Sequence, residues 1–104
     1  DVLATTGMAG AGATIQLFTT GLGTPTGNPI CPMVKLSTNT RLAEKLPEII
    51  DIDCGPIISG DKSVEEVGEE VLNYIIKLAS GEINTKAMDL GQDDFMFWRR
   101  GVKL

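Results

Sequence analysis

Apolar residues fall at Val64, Val67, Val71, Ile75 and Leu78, the three- and four-residue spacing of one helix face. Leu72, Ile76 and Ala79 widen that stripe. Ser63 with Glu66 has the pattern of a capping box, Glu65 and Glu66 suit the positive end of the helix dipole, and Gly81 marks the stop. The pattern predicts a helix from Val64 to about Ser80. Elsewhere the apolar runs are short and β-branched, as strands are. Thr14–Phe18 is the first predicted strand and Met33–Ser37 the second. In the second, Val34 and Leu36 share one face, while Lys35 points the other way with Met33 and Ser37. Ile49–Ile52 is the third, with Ile57 and Ile58 extending it after a bend at Asp53-Cys54-Gly55-Pro56.

Between the strands the pattern breaks. Residues 19–32 are rich in Gly, Thr and Pro, and Pro25, Pro29 and Pro32 argue against a helix there. Thr38-Asn39-Thr40 reads as the cap of a two-turn helix, Arg41 to Leu46, ended by Pro47. Residues 5–13 suggest a short helix capped by Thr5 or Thr6, weakened by Gly7, Gly10 and Gly12. Strands alternating with helices imply an α/β fold: a small, mainly parallel sheet flanked by helices in a Rossmann-like three-layer arrangement. In such a sheet ligands sit beyond the carboxyl ends of the strands. Here those ends are Thr19-Thr20-Gly21, Ser37-Thr38-Asn39 and Asp53-Cys54-Gly55. Parallel strands would bring the three turns to one edge.

Charge adds a second signal. No side chain from residue 2 to residue 34 is charged, and Lys35 ends that stretch. Backbone rich in Gly and Thr without charge suits burial, or a small polar ligand held through N–H and hydroxyl groups. The chain has 104 residues, 42% hydrophobic, and a net charge of −5, which describes one globular domain with a modest core. An acidic balance argues against nucleic acid as a partner. No run approaches the roughly 18 apolar residues of a membrane span, so no membrane partner is expected. The start has neither an initiator Met nor a basic leader, and the chain reads as a cytoplasmic fragment of a longer protein. Cys31 and Cys54 fit two reduced thiols or, alternatively, a metal or redox pair. Without His or a Cys-x-x-Cys, a zinc site inside this chain is not expected.

Candidate chemistry follows from the turns. The loop from Thr19 to Asn28 offers hydroxyls and N–H groups for an anion or sugar, or serves only as a tight connection. It has neither the Gly-Lys-Ser/Thr of a phosphate-binding loop nor a dinucleotide fingerprint. Lys35 could reach water past a strand edge, pair with a substrate carboxylate, or act as a base if desolvated. Ser37-Thr38-Asn39 caps a helix or receives a carboxylate. Asp51 and Asp53 share one strand face and could serve as metal ligand, base or cap. Phe95, Phe97 and Trp98 read as packing anchors.

Phe18-Thr19-Thr20-Gly21, Gly23-Thr24-Pro25 with Gly27, Lys35-Leu36-Ser37-Thr38-Asn39 and Ile50-Asp51 together resemble the C-terminal region of the altronate dehydratase/galactarate dehydratase family. Asp1 with Thr5-Thr6-Gly7 and Ala9-Gly10-Ala11-Gly12, and the ending Phe97 through Gly101-Val102-Lys103-Leu104, resemble that family too. The resemblance implies that residues 1–104 are a single C-terminal domain of a longer hydro-lyase, with the other domains of that enzyme as partners and a homodimer as an option. It implies a small sugar-acid substrate, converted to a 2-keto-3-deoxy acid. It also implies a divalent metal, iron(II), with ligands mostly outside this chain. On that basis Lys35 is the expected catalytic cation, and Thr19, Thr20, Gly21, Gly23, Thr24, Ser37, Thr38 and Asn39 are the expected substrate-binding residues. The isolated domain is expected to be inactive. Alternatives are a non-catalytic binding or dimerisation domain and a sulfolactate-type lyase.

Overall fold

A computed structural model describes residues 1–97 and 99–101. It contains helix α1 (Val2–Gly10), strand β1 (Gln16–Thr20), strand β2 (Met33–Ser37), helix α2 (Thr40–Lys45), strand β3 (Ile52–Asp53), and helices α3 (Gly55–Ser59), α4 (Val64–Ala79) and α5 (Lys86–Asp89). The three strands form one parallel sheet in the order β1-β2-β3. The α/β fold with a small parallel sheet is therefore as expected. No described helix is long and apolar enough to cross a membrane.

Strand β2 is central, and all five of its residues are buried. On one face Val34 and Leu36 meet Ile52 of β3 and Leu78 of α4, with Ile15, Val71, Tyr74 and Ile83 packed around them. Helix α4 has the expected start: the Ser63 hydroxyl accepts the Glu66 N–H, and the Glu66 carboxylate accepts the Ser63 N–H. Only part of its apolar stripe is covered. Val67 and Leu78 are buried, whereas Val64, Leu72 and Ile76 stay exposed.

Several boundaries move for local reasons. Helix α1 begins at Val2, behind Asp1, rather than at a cap on Thr5 or Thr6. The Thr5 and Thr6 hydroxyls instead donate back to the Val2 carbonyl, and the amide of Gln16 donates to the Thr5 carbonyl, tying α1 to β1. Strand β1 lies two residues later than expected, so Thr19 and Thr20 belong to the strand. Its register runs from Gln16 opposite Met33 to Thr20 opposite Ser37.

Strand β3 shrinks to two residues, because the Ile49 and Ile50 amides turn back to the Leu46 carbonyl. Ile57 and Ile58 lie in α3, not in a continued strand. Pro56, in the first turn of that helix, has no N–H to lose there. A side chain at Gly55 would sit 2.2 Å from the Thr40 nitrogen, so glycine is what lets α3 approach the start of α2. The aromatic tail also departs from expectation. Phe95 and Phe97 pack edge to face at 5.1 Å, yet both remain exposed. Trp98 and residues 102–104 lie outside the described residues.

Candidate functional site

Because all three strands run the same way, their carboxyl ends meet on one edge. The Thr38 N–H donates to the Thr20 carbonyl and the Cys54 N–H to the Ser37 carbonyl. This links the three turns that the sequence singled out. Asn39 is the clasp. Its side-chain oxygen accepts the Leu42 N–H at 2.8 Å, capping α2, and its side-chain nitrogen donates to the Gly21 carbonyl at 3.1 Å. The Thr20 hydroxyl accepts the Gly23 N–H at 2.9 Å. Gly23 has φ +93°, and a Cβ there would strike Leu46, so the loop turns over α2 only with glycine at that position.

The expected binding residues divide into committed and open groups. Asn39 and Thr20 are used in holding the edge together. Buried Ser37 exchanges hydrogen bonds with the backbone of Asn39, its hydroxyl donating to the carbonyl and accepting the N–H. Thr24 shares a 2.8 Å hydroxyl contact with buried Thr26. Thr19 and Thr38 are exposed, and Thr38 makes one long hydroxyl bond, 3.3 Å, to the Thr20 carbonyl. The amides of Gly21 and Leu22 donate no hydrogen bond among the described residues. The edge is thus a hydrogen-bonded polar shelf with two exposed threonines and two amides without an acceptor among the described residues.

Lys35 sits elsewhere. A lysine on an edge strand would reach water, but β2 is central and Lys35 is 0% exposed. Its Nζ finds no hydrogen-bond partner among the described residues. Burial pushes the amine down from its ordinary value, against the opposing pull of the Asp51 and Asp94 carboxylates. It lies on the Ser37 face of β2, one alternation inside the shelf, and does not stand on it.

Asp51 and Asp53 both accept hydrogen bonds within the fold. One Asp51 oxygen accepts the Lys35 N–H at 2.7 Å. The other accepts the Lys86 N–H at 2.9 Å and the Tyr74 hydroxyl at 3.0 Å, joining β2, α4 and α5. Burial, followed by the Asp51 charge, drives the Tyr74 phenol upward. Asp53 accepts the Gly55 N–H. Half-buried Cys54 has its thiol pushed up by burial and by Asp53 and Glu70. No group of three His, Cys, Asp or Glu among the described residues could hold a metal ion. The residues present therefore do not by themselves fit the divalent metal that the resemblance implies.

Beside the shelf lies a surface cavity of about 270 Å³, lined by Gly21, Leu22, Asn39, Arg41, Leu42 and Lys45. Arg41 and Lys45 were not among the expected site residues. Their signal was present in the sequence: two cations four apart on a helix that starts at a strand end share one face.

Comparison with known proteins gives a consistent family. The model of the family described as D-galactarate/altronate dehydratase, C-terminal, matches residues 1–103. The chain is similar to galactarate dehydratase (L-threo-forming) of Escherichia coli K12, at 39% identity over 82% of this chain and 16% of the relative. It is similar to altronate dehydratase of Bacillus subtilis 168, at 43% identity over 80% of this chain and 16% of the relative. It is also similar to (2R)-sulfolactate sulfo-lyase subunit beta of Chromohalobacter salexigens, at 33% identity over 88% of this chain and 23% of the relative. The chain therefore spans less than a quarter of the length of these curated relatives.

Proposed function

The chain belongs to the D-galactarate/altronate dehydratase C-terminal family, and on that premise we propose that it is one domain of a lyase that dehydrates a small sugar acid. The product is a 2-keto-3-deoxy acid. The observation that carries this reading is the shelf: three parallel strand ends locked together by Asn39, beside a loop without charge. Such a surface suits a ligand rich in hydroxyl groups and poor in apolar area.

The reaction removes the proton α to the carboxylate, expels the β-hydroxyl as water, and leaves an enol that tautomerises to the ketone. Negative charge builds on the carboxylate as the α-proton leaves, and a buried cation stabilises that charge more strongly than one in water. Lys35, enclosed behind the shelf in this domain, supplies the cation in this reading, acting on that charge through the low-dielectric interior without touching the substrate. Its Nζ has no hydrogen-bond partner among the described residues, although the Asp51 and Asp94 carboxylates favour its charged form. Thr19 and Thr38, with the Gly21 and Leu22 amides, orient hydroxyl groups. Thr20, Gly23, Thr24, Ser37 and Asn39 keep that surface in place. The proton acceptor, and any iron(II) with its ligands, belong to the remaining domains. The exposed apolar residues of α4 and the Phe95–Phe97 pair are where those domains, or a second copy of the enzyme, pack.

Assay of the complete enzyme on a panel of sugar acids tests the reading, with the 2-keto-3-deoxy product measured directly. Turnover of altronate or galactarate is expected; a panel without a substrate overturns it. The kinship with a sulfo-lyase subunit favours sulfolactate as the second reading, so sulfolactate joins the panel. Lys35→Met is expected to lower turnover by about tenfold or more, the scale of a buried charge acting without contact, with unchanged circular dichroism. A near-normal kcat/KM would remove Lys35 from the reaction.

A further inference from the structure

Lys35 is enclosed, so the cation that first meets an incoming acid must lie elsewhere. Arg41 and Lys45 line the 270 Å³ cavity beside the shelf. Both are exposed, and they stand one turn apart on α2. Neither forms an ion pair among the described residues, where the one salt bridge joins Lys62 and Glu70. Gly21 and Leu22, part of the stretch without charge, also line the cavity, and their amides donate no hydrogen bond among the described residues. Asn39 forms part of the lining with both ends of its amide already engaged, so the cavity keeps its shape without a ligand.

We propose that Arg41 and Lys45 form a carboxylate clamp, which anchors one carboxylate of a small acid while the Gly21–Leu22 backbone takes its neighbouring oxygen atoms. The inference rests on the sugar-acid reading for its biological ligand, but not for its chemistry. The guanidinium presents a planar fork that matches a carboxylate, and the ammonium adds a point charge from the next turn. The cavity is smaller than the roughly 300 Å³ at which pockets for drug-sized ligands begin. It suits an acid of a few carbons rather than a nucleotide or a peptide. The clamp takes a carboxylate at the rim, and Lys35 lies behind the shelf as a separate charge.

The test is calorimetric titration of the complete protein with succinate. Succinate carries two carboxylates and no hydroxyl that could be eliminated, so binding is read without turnover. Succinamide, its uncharged counterpart, is the control. Succinate is expected to bind saturably and succinamide not to bind. Arg41→Gln with Lys45→Gln is expected to weaken succinate binding about tenfold or more, the loss expected for a charge-assisted hydrogen bond. Arg41→Lys with Lys45→Arg, which keeps both charges, is expected to retain most of it. Both side chains are exposed, so the melting temperature should stay within a few degrees. Absence of succinate binding, equal binding of succinamide, or unchanged binding in the doubly neutral variant overturns the clamp. The sugar-acid panel is independent of this result: a protein that dehydrates no sugar acid yet binds succinate through these two residues retains the clamp and loses the reaction.

Discussion

The two faces of β2 are equally buried and opposite in character. On one, Val34 and Leu36 pack with Ile52 and Leu78 into a buried apolar cluster. On the other, Met33, Lys35 and Ser37 are just as far from water, yet the Lys35 amine has no hydrogen-bond partner among the described residues. Apolar burial stabilises in proportion to the area covered; burying an unpaired cation costs free energy. The same strand therefore contains a residue that holds the domain together and, next to it, one that the domain holds at a cost. A residue kept in that way is a candidate for function rather than for stability.

That contrast can be broken from either side. Leu36→Ala should produce the largest effect, a loss of about 3 kcal/mol from a cavity in the packed face, read as a lower urea midpoint. Asp51→Ala should cost about 2 kcal/mol, since three donors lose their acceptor. A loss near zero would show that water replaces the carboxylate. Lys35→Met should act in the opposite direction and stabilise at neutral pH, by the smallest margin of the three.

The pH dependence sharpens the last of these. Burial lowers the folded-state pKa of Lys35 below its ordinary 10.5. Between the folded value and 10.5 the unfolded chain binds more protons at this site, so stability contributed by the site rises with pH. Below the folded value both states are protonated, and the full cost of the buried charge applies. The advantage of Lys35→Met over the parent should therefore be greatest at the low end and shrink as pH climbs toward 10.5. Unfolding of both proteins at several pH values measures it. A constant difference would mean that Lys35 is solvated in the folded protein.

Much of the framework was legible because its causes are local. Met33–Ser37 is a strand with the expected bounds, and α4 starts at the Ser63 capping box. Asn39 caps α2 as its residue type suggests. The turns at residues 19–21, 37–39 and 53–55 lie on one edge because parallel strands leave no other choice. What was not legible depended on distant partners. The Ile49–Ile52 run has strand composition, but its first residues pair with Leu46 instead of a neighbouring strand. The donors to Asp51, Tyr74 and Lys86, lie 23 and 35 residues away in sequence, beyond the reach of any local pattern.

The sequence by itself determined the α/β class, the capped starts of α2 and α4, the strand-end turns that make the shelf, and the family, since each is written in short-range pattern or in a run of specific residues. Only the tertiary structure decided that β2 is the middle strand, that Lys35 is consequently sealed from water, and that the exposed cations beside the shelf are Arg41 and Lys45. Strand order and burial are properties of which segments meet. A lysine one strand further out would have kept its ammonium in water with the same neighbours in sequence.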